Sequence, residues 1–102
     1  MSNADTAQTI IEQIGRPALM RLGAHNITRY ADAVTFNVKI AKPGQTRARI
    51  MLAKVIYTNA DLYDVTVGLV ERGSLEWFGL VNIEGADAAA MVDTMHRLAA
   101  RA

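Results

Sequence analysis

Between Val34 and Ile40 the chain alternates without a break. Val34, Phe36, Val38 and Ile40 are apolar, and Thr35, Asn37 and Lys39 between them are polar. A period of two belongs to an extended strand with one face on a core and the other toward water. A helix cannot use it, because at 3.6 residues per turn the same positions scatter around the axis. The alternation returns in Tyr63, Val65, Val67 and Leu69 against Asp64, Thr66 and Gly68, and again through Leu75, Trp77, Gly79, Val81 and Ile83. Turn-forming residues separate these runs: Pro43-Gly44, Asn59-Ala60-Asp61 and Arg72-Gly73-Ser74. Short turns join neighbouring antiparallel strands.

Two further strands are less regular. One spans Ile27 to Tyr30. The other runs from about Arg47 to Tyr57, where Ala48, Ile50 and Leu52 share a phase and Lys54 interrupts it. A bulge at Lys54 would carry Val55 and Tyr57 onto the core face. In that phase Met51, with Phe78 and Leu80 from the last strand, falls opposite the main core set. These three are the expected second buried surface, and a dimer is the usual cover for such a face.

Helices bracket the strands. Ala7, Ile10, Ile11 and Ile14 form one helical stripe, with Asp5 and Gln8 as a capping box and Gly15 as the stop. Pro17 starts a short second helix through Leu22, held down by Leu19, Met20 and Leu22 and closed by Gly23. From about Ala86 to Ala100 a last stripe comprises Ala88, Met91, Val92, Met95, Leu98 and Ala99. Asp87 and Asp93 lie toward its N-terminus and Arg97 and Arg101 toward its C-terminus, matching the helix dipole. The expected fold is α+β: two N-terminal helices, a four- to five-stranded antiparallel meander and a C-terminal helix packed on one face. A length of 102 residues suits one domain spanning residues 1–102.

Chemistry is narrowed mostly by what the chain lacks. There is no cysteine, so disulfides, thiolate nucleophiles and thiolate metal sites are excluded. Ser2 and Ser74 sit in the tail and in a turn, and neither forms a nucleophile elbow beside His25 or His96. The seven glycines are dispersed, without the spacing of a phosphate loop. Asp61 and Asp64 read as a turn cap and a wet-face residue rather than as metal ligands. No cofactor, metal or catalytic residue is expected, and the chain reads as non-enzymatic. A small enzyme or ligand carrier with a pocket between sheet and helices is an alternative. The polar N-terminus and the lack of an apolar run near 20 residues predict a cytoplasmic protein with no membrane partner.

Charge is the uneven feature. Residues 1–60 hold eight Lys or Arg and three Asp or Glu, whereas residues 61–102 hold three and seven. No acid occurs between Ala33 and Ala60, where Lys39, Lys42, Arg47, Arg49 and Lys54 cluster around one hairpin. Such a hairpin could track a phosphate backbone with Tyr30 or Tyr57 stacking a base, meet the acidic half of another subunit, or protect a solvated edge.

Several short segments occur in a suggestive order: Thr9-Ile10-Ile11-Glu12-Gln13-Ile14-Gly15, Leu22-Gly23-Ala24-His25-Asn26, Val34-Thr35-Phe36-Asn37-Val38 and Asp61-Leu62-Tyr63-Asp64-Val65. From Thr9 to the last helix the chain resembles a group of small uncharacterised proteins encoded by tailed phages and prophages. It departs from them at Arg16-Pro17, where they look Gly- or Asn-rich, and at its end, where they continue with a Gly-Leu-containing tail. The resemblance implies a phage or prophage context and brings no activity with it. The resulting expectation is a homodimeric macromolecular interaction module, with nucleic-acid binding through the basic hairpin as the alternative.

Overall fold

The computed structural model describes the backbone of residues 3–41, 46–70 and 77–101, and the side chains of residues 6–41, 46–69 and 80–100. Helix α1 (Asn3–Ile14) and helix α2 (Arg16–Arg21) lead into five strands: β1 (His25–Arg29), β2 (Ala33–Ala41), β3 (Ala48–Tyr57), β4 (Tyr63–Val70) and β5 (Trp77–Ala86). Helix α3 (Ala88–Arg101) follows. The strands pair antiparallel in sequence order, a five-stranded meander. The α+β architecture is therefore the one the periodicities call for.

One face of the sheet is sealed. Val34, Phe36, Val38 and Ile40 of β2, with Val65 and Val67 of β4, are buried against Ile10 and Ile14 of α1, Leu22, and Met91 and Met95 of α3. All three helices lie on this side, and α3 touches both α1 and α2. Burying these side chains contributes roughly 1.5–3 kcal/mol each.

Local chemistry sets the helix ends. Helix α1 starts at Asn3, so Asp5 lies in its first turn rather than at the cap. Gln8 bonds Glu12 one turn on instead of closing a capping box. Gly15, at φ 90° and ψ 145°, makes the corner between α1 and α2 in a region that only glycine enters cheaply. Helix α2 ends in a Schellman arrangement: the Ala24 N–H donates to Leu19 O and the Gly23 N–H to Met20 O, with Gly23 at φ 66°. Leu19 and Leu22 are buried, but Met20 is 71% exposed and does not hold the helix down. Helix α3 begins one residue past Asp87, whose carboxylate accepts the Ala90 N–H at 2.7 Å.

Strand β3 corrects the expected phase. Met51, Ala53 and Val55 are all buried, and the β2–β3 and β3–β4 ladders run through Lys54 without a shift. There is no bulge at Lys54. Met51, at 1% exposure, belongs to the core beneath the helices. Ile50, Leu52 and Lys54 share the opposite face.

Strand β5 carries two irregularities instead. Gly68 pairs with Gly79 while Val67 pairs with Val81, which leaves Leu80 as an extra residue. The slip reverses the strand's phase, so the run from Trp77 to Ile83 does not keep one face, and Leu75 lies outside the described residues. Leu80 packs against the core rather than forming an outer surface. The second shift lies next to Gly85, at φ 70°. The turns at Pro43-Gly44 and Arg72-Gly73-Ser74 fall outside the described residues.

Phe36 is fully buried, so Phe36→Ala should lower the unfolding free energy by about 3–5 kcal/mol. Met20→Ala should change it by less than about 0.5 kcal/mol. Urea unfolding of both variants, with equal losses, would contradict the placement of the core.

Candidate interaction surface on the helix-free sheet face

Residues directly opposite in an antiparallel ladder share a face, so register alone sorts the side chains away from the helices. Lys39 lies opposite Ile50, Asn37 opposite Leu52, and Thr35 opposite Lys54. Leu52 then faces Gly68, Lys54 faces Thr66, Ile56 faces Asp64, and Thr66 faces Asn82. Glu84, two residues beyond Asn82, is exposed and lies within the second irregularity of β5. The face thus has aliphatic side chains on its middle strand, Ile50 at 56% and Leu52 at 40% exposure. Its charge is divided. Strands β2 and β3 carry Lys39 and Lys54, and strand β4 carries Asp64.

The basic hairpin does not form one surface. Arg49 pairs with Ile40, a buried core residue, and so points to the helix side of the sheet. Arg47 lies in the bend before β3. Among the described basic residues of the hairpin, Lys39 and Lys54 reach the helix-free face, four residues apart along the sheet, or about 13 Å. Lys42 lies outside the described residues. Tyr57 and Tyr63 take the core phase, and Tyr30 sits in the β1–β2 connection, where its N–H donates to Ala33 O.

Of the three expected interface residues, none is placed on this face. Met51 is buried and Leu80 packs against the core, as described above. The Phe78 backbone pairs with Leu69, and the Phe78 side chain lies outside the described residues. Ile50 and Leu52 are the large aliphatic residues that stand exposed on this face. The signal for them was Lys54: a charged residue at an exposed position marks the wet phase, and Ile50 and Leu52 share it.

Polar side chains elsewhere hold backbone groups. Asp64 Oδ1 accepts the Gly85 N–H at 3.0 Å and so satisfies a donor freed by the β5 irregularity. Nε2 of His96 donates to Ile14 O at 2.8 Å, tying α3 to the C-terminus of α1. His25 Nδ1 donates to Gly23 O at 2.7 Å, and Asn26 takes φ 53° where the β1–β2 register shifts. Asp61, at φ 60°, closes the β3–β4 turn through its N–H to Thr58 O. Its carboxylate accepts a hydrogen bond from Tyr57 OH. Tyr63 OH donates to Gln13 Oε1 at 3.1 Å and joins β4 to α1. The Asp64, His96 and Tyr63 contacts are not visible in local sequence, because their partners lie on other elements.

The space between sheet and helices, where a ligand pocket was the alternative expectation, is filled by Phe36, Ile10, Ile14, Met91 and Met95. Hollows occur at the rim. One of about 330 Å³ lies between α3 and β5, lined by Val81, Ile83, Thr94, Arg97 and Leu98. Among the described residues no three His, Asp or Glu side chains are grouped to hold a metal ion. Among them, too, no helix is long and apolar enough to cross a membrane. Comparison with protein-family models, curated proteins and solved structures finds no match.

The hydrogen bond to Asp61 is the main cause that raises the Tyr57 hydroxyl above the ordinary tyrosine range, with burial and the Asp61 charge adding to it. A raised pKa stabilises the fold below the unfolded value near 10, and that contribution disappears as pH climbs through the folded value. Asp61→Ala should therefore move one tyrosine back toward its usual range in a tyrosinate absorbance titration. An unchanged titration would rule out the Asp61 contact.

Proposed function

We propose that this chain is a non-enzymatic macromolecular interaction module of a phage or prophage context. Its contact surface is the helix-free face of the sheet, centred on Ile50 and Leu52. One observation carries the reading: two large aliphatic side chains stand exposed side by side on the central strand β3, flanked by Lys39 and Lys54. Single exposed apolar residues are ordinary, but adjacent ones on a sheet face with charged neighbours are the anatomy of a protein contact.

The sheet edges are poorer places to dock. Strand β1 is five residues long and irregular near Asn26, and β5 is interrupted at Leu80 and Gly85. Short and bulged edges resist the addition of another strand. Nucleic-acid binding through Lys39, Lys42, Arg47, Arg49 and Lys54 is disfavoured, since alternation sends Arg49 to one side of the sheet and Lys39 and Lys54 to the other. A chain of cytoplasmic address with protein partners fits this reading.

A photo-crosslinking amino acid at Leu52 should give discrete protein adducts in cells. The same group at Ala90, exposed on α3, should give none. Equal labelling at the two sites, or none at Leu52, would overturn the assignment. A gel shift at low salt should show no retardation of single- or double-stranded nucleic acid. Tight, salt-sensitive retardation would restore the basic-hairpin reading.

A further inference from the structure

Helix α2 turns one large apolar side chain away from the protein. Ala18 and Leu19 pack inward, while Met20 is 71% exposed beside Pro17 and Arg21, which are exposed as well. The other methionines among the described residues are sealed: Met51 is 1% exposed, and Met91 and Met95 are 0% exposed. A methionine thioether is a two-electron reductant, and access of the oxidant to its sulfur decides whether it reacts. The chain has no cysteine, so no thiol of its own competes for that oxidant. We propose that Met20 is a reversible oxidation site: hydrogen peroxide or a related hydroperoxide converts its thioether to the sulfoxide in the folded chain and spares Met51, Met91 and Met95.

The sulfur lone pair attacks one peroxide oxygen. An S–O bond forms and the O–O bond breaks. The departing hydroxide takes the proton carried over on the transferred oxygen and leaves as water. Sulfur loses two electrons, and the peroxide gains them. In the reverse direction a methionine sulfoxide reductase supplies two thiols, which close to a disulfide as the oxygen leaves as water. The sulfoxide is chiral at sulfur, so full reversal takes two reductases of opposite stereochemical preference.

Burial separates the two classes of methionine. A sulfoxide at Met20 meets water, and the hydrogen bond that closes α2 uses the Met20 carbonyl rather than its side chain. Met51, Met91 and Met95 belong to the hydrophobic core. A sulfoxide there would bury a strong acceptor among apolar neighbours. Their oxidation therefore waits on opening of the core, which is rare in a folded domain. Helix α2 packs on α1 and α3, across the sheet from Ile50 and Leu52, so a sulfoxide at Met20 leaves the proposed contact face unchanged.

Hydrogen peroxide treatment of the full chain, read by tandem mass spectrometry that assigns each added oxygen to its residue, tests the proposal. Met20 should oxidise within about threefold of the rate of free methionine, and Met51, Met91 and Met95 at least about a hundredfold more slowly. The circular dichroism spectrum and the urea midpoint should not change once Met20 is converted. In concentrated guanidinium chloride the difference in rate should vanish, which assigns it to the fold. Met20→Leu should leave the slow rates of the core methionines as they are, since its side chain takes no part in the core. Reductases of both preferences, with dithiothreitol, should return Met20 to the thioether. Core methionines that oxidise as fast as Met20 in the native chain overturn the proposal. So does a Met20 as slow as they are, or a sulfoxide that the reductases leave in place.

Discussion

A pleated strand must put alternate side chains on opposite sides, and in this protein only one side of the sheet is roofed. That constraint organises everything else. The helices seal Phe36, Met51, Val55, Val65 and their neighbours, and the side chains between them are left facing outward. On β2 the outward residues are Thr35, Asn37 and Lys39, which water accepts. On β3 they include Ile50 and Leu52, which it does not. The proposed contact face is therefore the outward half of a strand whose other half builds the core, and neither half can move without the other.

The same pleat explains where the reading from residues succeeds. Strand β2 is legible because its two phases differ in chemistry, apolar against polar, and its buried set is the one the alternation marks. Strand β4 is legible for the same reason, down to Tyr63, Val65 and Val67. Strand β3 is apolar on both phases: Ile50 and Leu52 on one, Met51, Ala53 and Val55 on the other. Two apolar faces make the period silent, and only Lys54 breaks the tie. Treating Lys54 as a defect to be bridged by a bulge put Met51 outside. Treating it as the marker of the outer phase puts Ile50 and Leu52 there instead.

Strand β5 is illegible for a different reason. Its phase turns over at Leu80, where one extra residue opposes the Val67–Gly68 step of β4. Nothing in the residues near Leu80 announces this, since bulges are set by pairing with a neighbour rather than by local preference. Gly85 is better marked, because a residue at φ 70° favours glycine, but the acceptor for its freed N–H is Asp64, twenty-one positions away. The candidate site was partly readable for related reasons. Its charge asymmetry is a property of composition and survives folding. The side of the sheet on which each charge stands is a property of register, and register divides Lys39 and Lys54 from Arg49.

An exposed aliphatic pair on a strand is a hazard as well as a surface, because the same burial that rewards a partner also rewards indiscriminate stacking. The lysines on either side change that balance. Lys54 follows Leu52 at the next outward position of β3, and Lys39 stands across from Ile50 on β2. Burying either ammonium against an apolar sheet would cost more than the neighbouring methyl groups return. Only a partner that offers carboxylates at matching positions removes that penalty. Irregular strands close off the remaining route, addition to an edge, at both β1 and β5. Under the proposed reading, association through this face would run through side chains whose charge can be recognised rather than through backbone edges.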